Sequence, residues 1–441
     1  MERTVGVISL GCAKNRVDAE IMLGLLTAAG YRAVPPEEGE TLLVNTCGFV
    51  EEAKREAVNE LLRWGLRKAS GRPRWLVATG CLAQRYADQL LEEMPELDAA
   101  VGIADYLRIV DILQAVQGGQ RGPWAGPPPV TFVESGPRLL STPPGWAYLK
   151  IAEGCDNRCT YCAIPSIRGG FRSRPLPAVL VEAGRLVAAG ARELVLVAQD
   201  TTRYGMDLYG QPVLHRLLEE LDGLAGLEWV RVMYAHPGRV SGAVREALRG
   251  LPKVVPYLDL PLQHVADRVL ARMGRGYTGA QARELIDCLR RDVPGIALRT
   301  TLMVGFPGES REEFAQLRRF VEEERLDWLG VFAFAAEEGT AAAAWGDSVS
   351  PEEKRERREE LLHLQAGITA AANRRRVGLS LPVLVEGRGR RYAAYGRAAF
   401  QAPEVDGRVL LRGPAALRPG QMARVRVSAA RGYDLVGEVE G

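Results

Sequence analysis

The feature that most constrains this chain is an alternation of strand and helix patterns. Between residues 146 and 334 six β-rich runs, "WAYLKIA", "ELVLVA", "WVRVMY", "VVPYLDL", "ALRTTLMVG" and "WLGVFAF", recur with helical patterns between them. Short apolar strands spaced by amphipathic helices bury both faces as a parallel sheet with helices packed outside it. Six such units predict an incomplete barrel, since a closed β/α barrel uses eight.

A shorter alternation precedes it. "TVGVISL", "TLLVNT" and "RWLVATG" are each followed by a helical pattern, as in "NRVDAEIMLGLLTAAG", where Val17, Ile21 and Leu25 fall one turn apart. Residues 1–117 therefore predict a separate parallel α/β domain, and the Gly/Pro-rich "GGQRGPWAGPPP" opens a linker over 118–140. Residues 141–375 comprise the partial barrel and a charged run, "SPEEKRERREELLHLQAGITAAANRRR", which predicts a long solvated helix leading away from it. From 376 to 441 helices cease. "LPVLVEG", "RYAAYGRA", "GRVLLRG", "MARVRVSA" and "YDLVGEVEG" predict a small five-stranded barrel of the oligonucleotide-binding kind. Its eleven Arg against six Asp or Glu make the tail mildly basic, compatible with an RNA-facing surface or a plain solubilising one.

Composition narrows the class. A net charge of +2 over 441 residues gives no strong field for nucleic acid. "MERTVGVISLG" lacks the layout of a signal peptide, and no apolar run is long enough to span a membrane. The expectation is a cytoplasmic protein with no membrane association, where grouped thiols hold metal or do chemistry. Of the seven cysteines, Cys288 in "ARELIDCLRR" reads as a small buried hydrophobe.

The other six form two sets. Cys155, Cys159 and Cys162 lie in "GCDNRCTYC", directly after the first barrel strand and so at the face where such barrels keep their active sites. Thiolates suit iron–sulfur clusters, and three ligands on a four-iron cluster leave one iron open. Structural zinc, the other reading, takes four ligands, and no further Cys or His is near in sequence. Cys12, Cys47 and Cys81 are far apart in sequence, yet each follows one of the three N-terminal strands. Parallel strands end on one edge, so the three thiols can converge there, each at a predicted helix start whose dipole favours thiolate.

The central motif resembles that of the radical S-adenosylmethionine (SAM) superfamily, C-x3-C-x-Φ-C, with Tyr161 at the aromatic position. The resemblance implies a 4Fe–4S cluster on Cys155, Cys159 and Cys162. SAM would chelate the open iron and be cleaved reductively to a 5′-deoxyadenosyl radical. "AQDTTRYG", "LPLQH" and "RTTLMVGFPGE" resemble loops at the same mouth, which implies SAM contacts from Gln199, Gln263, Arg299 and Glu309, with His264 facing the same way. "SLGCAKNRVDAE", "VNTCGFVEEAKREA", "TGCLAQRY" and "IPSIRGGFRSR" resemble the methylthiotransferase family. Its chains join a cluster domain, a radical-SAM barrel and a C-terminal TRAM barrel.

That resemblance implies a second 4Fe–4S cluster on Cys12, Cys47 and Cys81, carrying the sulfur to be transferred. "GCAKN" with "NTCGFVEEAK" is similar to the branch that modifies an aspartate β-carbon in the twelfth small-subunit ribosomal protein. The transfer-RNA branch usually reads GCQMN. Ala13 and Ala19 stand where the ribosomal-protein branch has proline and serine, and "FAFAAEEGTAAAAWGD" is plainer than its tyrosine-containing counterpart. The expected partners are that protein or the small ribosomal subunit, an electron donor such as flavodoxin or ferredoxin, and RNA through the tail. Two other functions are compatible with the motifs: the same chemistry on transfer-RNA adenosine, and a non-catalytic iron–sulfur RNA-binding protein.

Overall fold

The computed structural model describes residues 3–132, 136–413 and 417–440. The ends, three residues of the expected linker and three of the tail lie outside the described residues.

The first sheet contains β1 (Thr4–Ser9), β2 (Arg32–Ala33), β3 (Thr41–Thr46), β4 (Trp75–Gly80), β5 (Ala99–Val101) and β6 (Gly122–Trp124), all parallel, in the order β2-β1-β3-β4-β5-β6. Helices α1 (Ala13–Ala28), α2 (Glu51–Ala69), α3 (Cys81–Glu93) and α4 (Ile109–Gln117) cover it. The three strands expected from sequence form its centre. Strand β6 comes from the stretch expected as a linker, so the sheet extends into it. The chain leaves β1 toward β2 on one side and returns to β3 on the other, and that reversal opens a crevice at the strand ends.

The second sheet uses all six expected runs: β7 (Trp146–Lys150), followed by the short pair β8 (Ala152–Glu153) and β9 (Arg172–Ser173), then β10 (Glu193–Val197), β11 (Trp229–Val232), β12 (Val254–Gln263), β13 (Ala297–Val304) and β14 (Trp328–Ala333). Helices α5 (Ile164–Arg168), α6 (Leu176–Ala188), α7 (Met206–Tyr209), α8 (Leu214–Asp222), α9 (Gly242–Gly250), α10 (Asp267–Met273), α11 (Gly279–Asp292) and α12 (Arg311–Glu324) connect them. The six long strands run parallel in the order β14-β13-β12-β11-β10-β7, an open barrel. Side chains alternate between its faces. Leu149, Leu194, Leu196, Val230, Leu258 and Leu298 pack outward under the helices. Trp146, Tyr148, Val195, Trp229, Tyr257 and Trp328 face inward and join the core of the first domain through α1.

Helix α13 (Pro351–Arg375) departs from expectation. It packs along β14 and α12 instead of leading away, and so covers an edge of the open sheet. Its buried stripe is Lys354, Arg357, Leu361, Gln365, Ile368, Thr369 and Ala372, at spacings of three and four but largely polar. Gln365 donates to the carbonyls of Leu326 and Asp327, and Arg357 pairs with Glu309. A charge pattern that reads as solvated is here a hydrogen-bonding seam. Cys288 is half-buried and accepts a hydrogen bond from Arg291 at 3.1 Å, so it is not the fully buried hydrophobe expected.

Strands β15 (Ser380–Gly387), β16 (Ala394–Ala398), β17 (Val409–Arg412), β18 (Met422–Arg431) and β19 (Asp434–Val439) close into a five-stranded barrel. It docks at the foot of the second sheet. Arg397 pairs with Glu193 at 2.5 Å, Trp328 donates to the Phe400 carbonyl, and Tyr257 and Arg299 both bond Asp406. No helix among the described residues is long and apolar enough to cross a membrane.

Candidate functional site

The loop after β8 carries Cys155, Cys159 and Cys162 at one edge of a cleft of about 560 Å³. Its shape starts from Gly154, whose φ of +74° and packing admit no side chain: a Cβ there would lie 2.0 Å from the Gly170 carbonyl. Asp156 accepts from the Phe171 N–H at 2.8 Å, and Asn157 donates to Asp200 at 3.0 Å. Thr160 bonds the Arg272 carbonyl at 2.8 Å. The Asn157 N–H points at Cys155 Sγ and the Arg275 guanidinium at Cys159 Sγ, each at 3.4 Å. Burial pushes the Cys155 thiol up to about 11 and Cys162 up to about 12. Tyr161 lies buried between this loop and Phe306, ring centroids 6.4 Å apart.

The N-terminal thiols meet at the crevice beside β1. Cys12 is the N-cap of α1 and Cys81 the first residue of α3, as expected from sequence. Cys47 differs, because α2 starts only at Glu51. Gly80, at φ +93°, lets the chain turn against Asn45 and Thr46 before Cys81. Asn15 staples the three loops: its amide donates to the carbonyls of Leu10 and Thr46, and its Oδ1 accepts from Cys81 Sγ at 3.4 Å. Burial opposes the Cys12 thiolate, but Lys14, Arg168 and the N–H groups of Asn15 and Lys14 outweigh it and lower the pKa. At Cys47 burial and the neighbouring thiols outweigh the Phe49 N–H and Arg168 and push the pKa up to about 12.

A buried ion network joins the two sets. Arg168, 1% exposed, reaches Glu153 at 2.9 Å, Asp18 at 3.0 Å, Asn15 at 2.5 Å and Cys81 Sγ at 3.4 Å. Lys150 bonds Asp18 at 2.5 Å and Glu153 at 2.8 Å. Both cations belong to the second domain and Asp18 to the first, so the network holds the two edges face to face. Arg168, Lys14 and Asn15 lie inside motifs read from the sequence, but their contacts, like that of Arg275, carry no sequence signal of their own.

The expected SAM contacts separate. Gln199 sits just beyond β10, its amide bonded to Glu153 at 2.8 Å and its Oε1 buried without a partner among the described residues. Gln263 ends β12 with φ of +70°, a conformation that side chains other than glycine hold only under constraint. Both stand at the strand ends. Arg299 does not: it is the third residue of β13 and is clamped to Asp406 at 2.7 Å. Glu309 is tied to Arg357 at 2.5 Å and to the Phe306 N–H, serving the turn before α12. His264 is fully buried, with Nε2 unpartnered among the described residues and 4.0 Å from Glu309.

Among the described residues no three Cys, His, Asp or Glu side chains are placed to share a single metal ion. A four-iron cluster asks instead for one thiolate on each of three irons. The central trio, on one loop, beside one cleft and with donors aimed at sulfur, fits that demand. The crevice trio comes from three loops instead of one, with Asn15 and Arg168 against the Cys81 sulfur.

Comparison with known proteins agrees in three segments. Residues 4–102 match the family described as "Uncharacterized protein family UPF0004", 149–321 the radical SAM superfamily, and 377–439 the TRAM domain. Membership of the radical SAM superfamily implies SAM and a 4Fe–4S cluster. The fold is similar to that of TsrM, a radical SAM methyltransferase from Kitasatospora setae solved with cobalamin and a [4Fe-4S] cluster. The TM-score is 0.57 at 15% identity, covering 78% of this chain and 74% of that one. Over 99% of its length the chain is 48% identical to a Desulforudis audaxviator protein named ribosomal protein uS12 methylthiotransferase RimO, covering 96% of it. A Geobacter sulfurreducens protein of the same name is 47% identical, with 98% of it covered. With this identity over nearly the full length of both chains, the protein belongs to the uS12 methylthiotransferase (RimO) family.

Proposed function

We propose that this protein transfers a methylthio group to the β-carbon of an aspartate in ribosomal protein uS12, as a cytoplasmic enzyme served by a donor of the flavodoxin or ferredoxin class. The observation that carries it is the placing of two thiol trios across one buried ion network, in a chain 48% identical to a protein of that name. Cys155, Cys159 and Cys162 hold one four-iron cluster, and Cys12, Cys47 and Cys81 hold a second. Bound there, the first with SAM supplies the carbon-centred radical that activates the acceptor, and the second supplies the methylthio group.

The chain's own residues do the rest. Gln199 and Gln263, at the strand ends, orient SAM through their amides, and Tyr161 walls the central trio against Phe306. Arg168 and Lys150 fix the distance between the trios by holding Asp18 against Glu153. Arg299 and Glu309 act on the scaffold, where their ion pairs place them. No acid–base residue is needed, because the acceptor carbon bears no acidic proton.

The test is anaerobic reconstitution with iron, sulfide and SAM, followed by mass spectrometry of uS12 and of transfer RNA offered together. A gain of sulfur plus CH2 on a uS12 aspartate is expected. Modified adenosine beside untouched aspartate would overturn the acceptor and leave the two-cluster assignment standing.

A further inference from the structure

A cluster of apolar side chains lies apart from the cores of the two sheets, directly behind the central cysteines. It holds Tyr161, Phe306, Phe334 and Ala342, with Cys159 and Cys162 packed against it. The rings meet edge to face, Tyr161 and Phe306 at 6.4 Å and Phe306 and Trp345 at 6.0 Å between centroids. Tyr161 is buried and Trp345 is 42% exposed, so one packed line of aromatic rings runs from the cysteine loop to the surface. The backbone ties the same two places together. The Ala342 N–H donates to the Thr160 carbonyl at 2.8 Å, which fixes the turn ending in Trp345 against the loop between Cys159 and Cys162.

Charge marks the same spot. Around the cysteine loop Arg275 is taken up by the Cys159 sulfur and the Pro261 carbonyl, Arg203 by Asp156 and Arg239 by Asp200. Arg272 is taken up by none. Among the described residues its guanidinium makes no hydrogen bond or ion pair, its Nε is buried without a partner, and it lies 4.8 Å from the Trp345 ring centroid. Arg268, one turn back on α10 and beside Gly308 with Arg272, is matched by Glu313, while Lys354 and Asp347 match each other. The face around Trp345 therefore keeps one cation in excess, lying on an exposed ring.

We propose that the face around Trp345 and Arg272 docks the electron donor, an acidic one-electron carrier protein of the flavodoxin or ferredoxin class. The assignment rests on the proposed cluster at the central trio and adds where its electron enters. A cation in excess beside an exposed tryptophan suits a partner with an acidic rim, since complementary charge steers encounter and an aromatic anchor holds the complex. Electron tunnelling falls off less steeply through close-packed side chains than through water, and this face is joined to Cys159 and Cys162 by packed rings. The carrier loses one electron and the cluster gains it. The rings between stay neutral, and no bond is made or broken in them.

The experiment measures binding of an oxidised flavodoxin and of a plant-type ferredoxin, both acidic, to the protein reconstituted with iron and sulfide. SAM cleavage is then driven by each reduced carrier and, separately, by dithionite, which is small enough for the cleft beside the trio and needs no docking face. Wild type should bind one of the carriers with an affinity that falls as salt rises. R272E should weaken that binding about tenfold or more, and W345L should slow carrier-driven cleavage. Both variants should keep dithionite-driven cleavage. R412E, the same charge change on the C-terminal barrel, should alter neither reading. Binding of neither carrier by wild type overturns the assignment, and so do R272E and W345L proteins that bind the carrier and take its electrons as wild type does. A loss that dithionite shares in both variants also overturns it, because the face would then only support the loop. If dithionite and SAM yield no deoxyadenosine with wild type, the cluster reading fails and takes this one with it. If they do while both variants accept electrons from the carrier at full rate, only the docking face falls.

Discussion

The most consequential side chain outside the cysteines is Arg168, whose guanidinium touches both domains and one crevice thiol. Arg168→Met should leave Asp18 and Glu153 buried with Lys150 alone, costing about 3–5 kcal/mol by the usual penalty for breaking a buried pair. The lowered melting temperature should come with crevice iron that is lost on gel filtration. A variant as stable and as iron-rich as wild type would reduce the network to decoration. Cys159→Ala should lose about half of the bound iron and all reductive SAM cleavage, because the remaining cluster sits on another domain. Cys47→Ala should keep SAM cleavage and yield no methylthiolated uS12. Undiminished deoxyadenosine from the first variant, or full transfer by the second, would remove those ligands from the assignment. The six thiols were legible because each follows a strand, and strand ends are readable. Arg168 was not, because Asp18 and Cys81 reach it only through the meeting of two domains.

At the level of elements, the long strands of both sheets were legible and the short ones, β2, β5 and β6, were not. The runs behind β3, β10 and β13 are β-branched or leucine-rich and bounded by breakers, whereas β2 has two residues and β6 is "GPW" in a proline-rich stretch. The opposite failure occurred at α13, whose inward stripe interleaves Lys, Arg, Gln and Thr with Leu361 and Ile368 and so carries only a thin hydrophobic period. Because that seam is polar, it should be sensitive to single losses. Arg357→Met leaves the Glu309 carboxylate buried without its cation, and the first turns of α13 should then lose protection in hydrogen exchange. Unchanged exchange across residues 351–358 would show that apolar contacts alone hold the helix.

Across the whole molecule the C-terminal barrel is bolted to the foot of the second sheet, which alters what its removal should do. From sequence alone, deletion beyond residue 376 is expected to spare SAM cleavage. In the structure it would bare Trp146, Tyr257 and Trp328 and leave Glu193 with Arg231 alone, so loss of soluble protein is the expected result. A gentler probe is acid. Burial opposes ionisation of Glu193, but Arg231 and Arg397 prevail and hold its pKa below the ordinary carboxylate value. Its contribution is therefore fully present above the unfolded pKa, near 4.3, and is lost as pH falls through the lower folded value. Melting temperature should drop in acid for wild type, and Glu193→Gln should start lower and show a shallower acid limb. Parallel curves for the two proteins would place the acid-sensitive group elsewhere.

The segment between β16 and β17 reaches up from that tail: Phe400 and Ala402 pack among the inward-facing residues, and Glu404 bonds both Tyr148 and Arg16 of the first domain. The tail thereby stops the foot of the second sheet, and the cleft beside Cys155, Cys159 and Cys162 lies at the other end of the strands, so an acceptor reaches that loop from the side away from the C-terminal barrel.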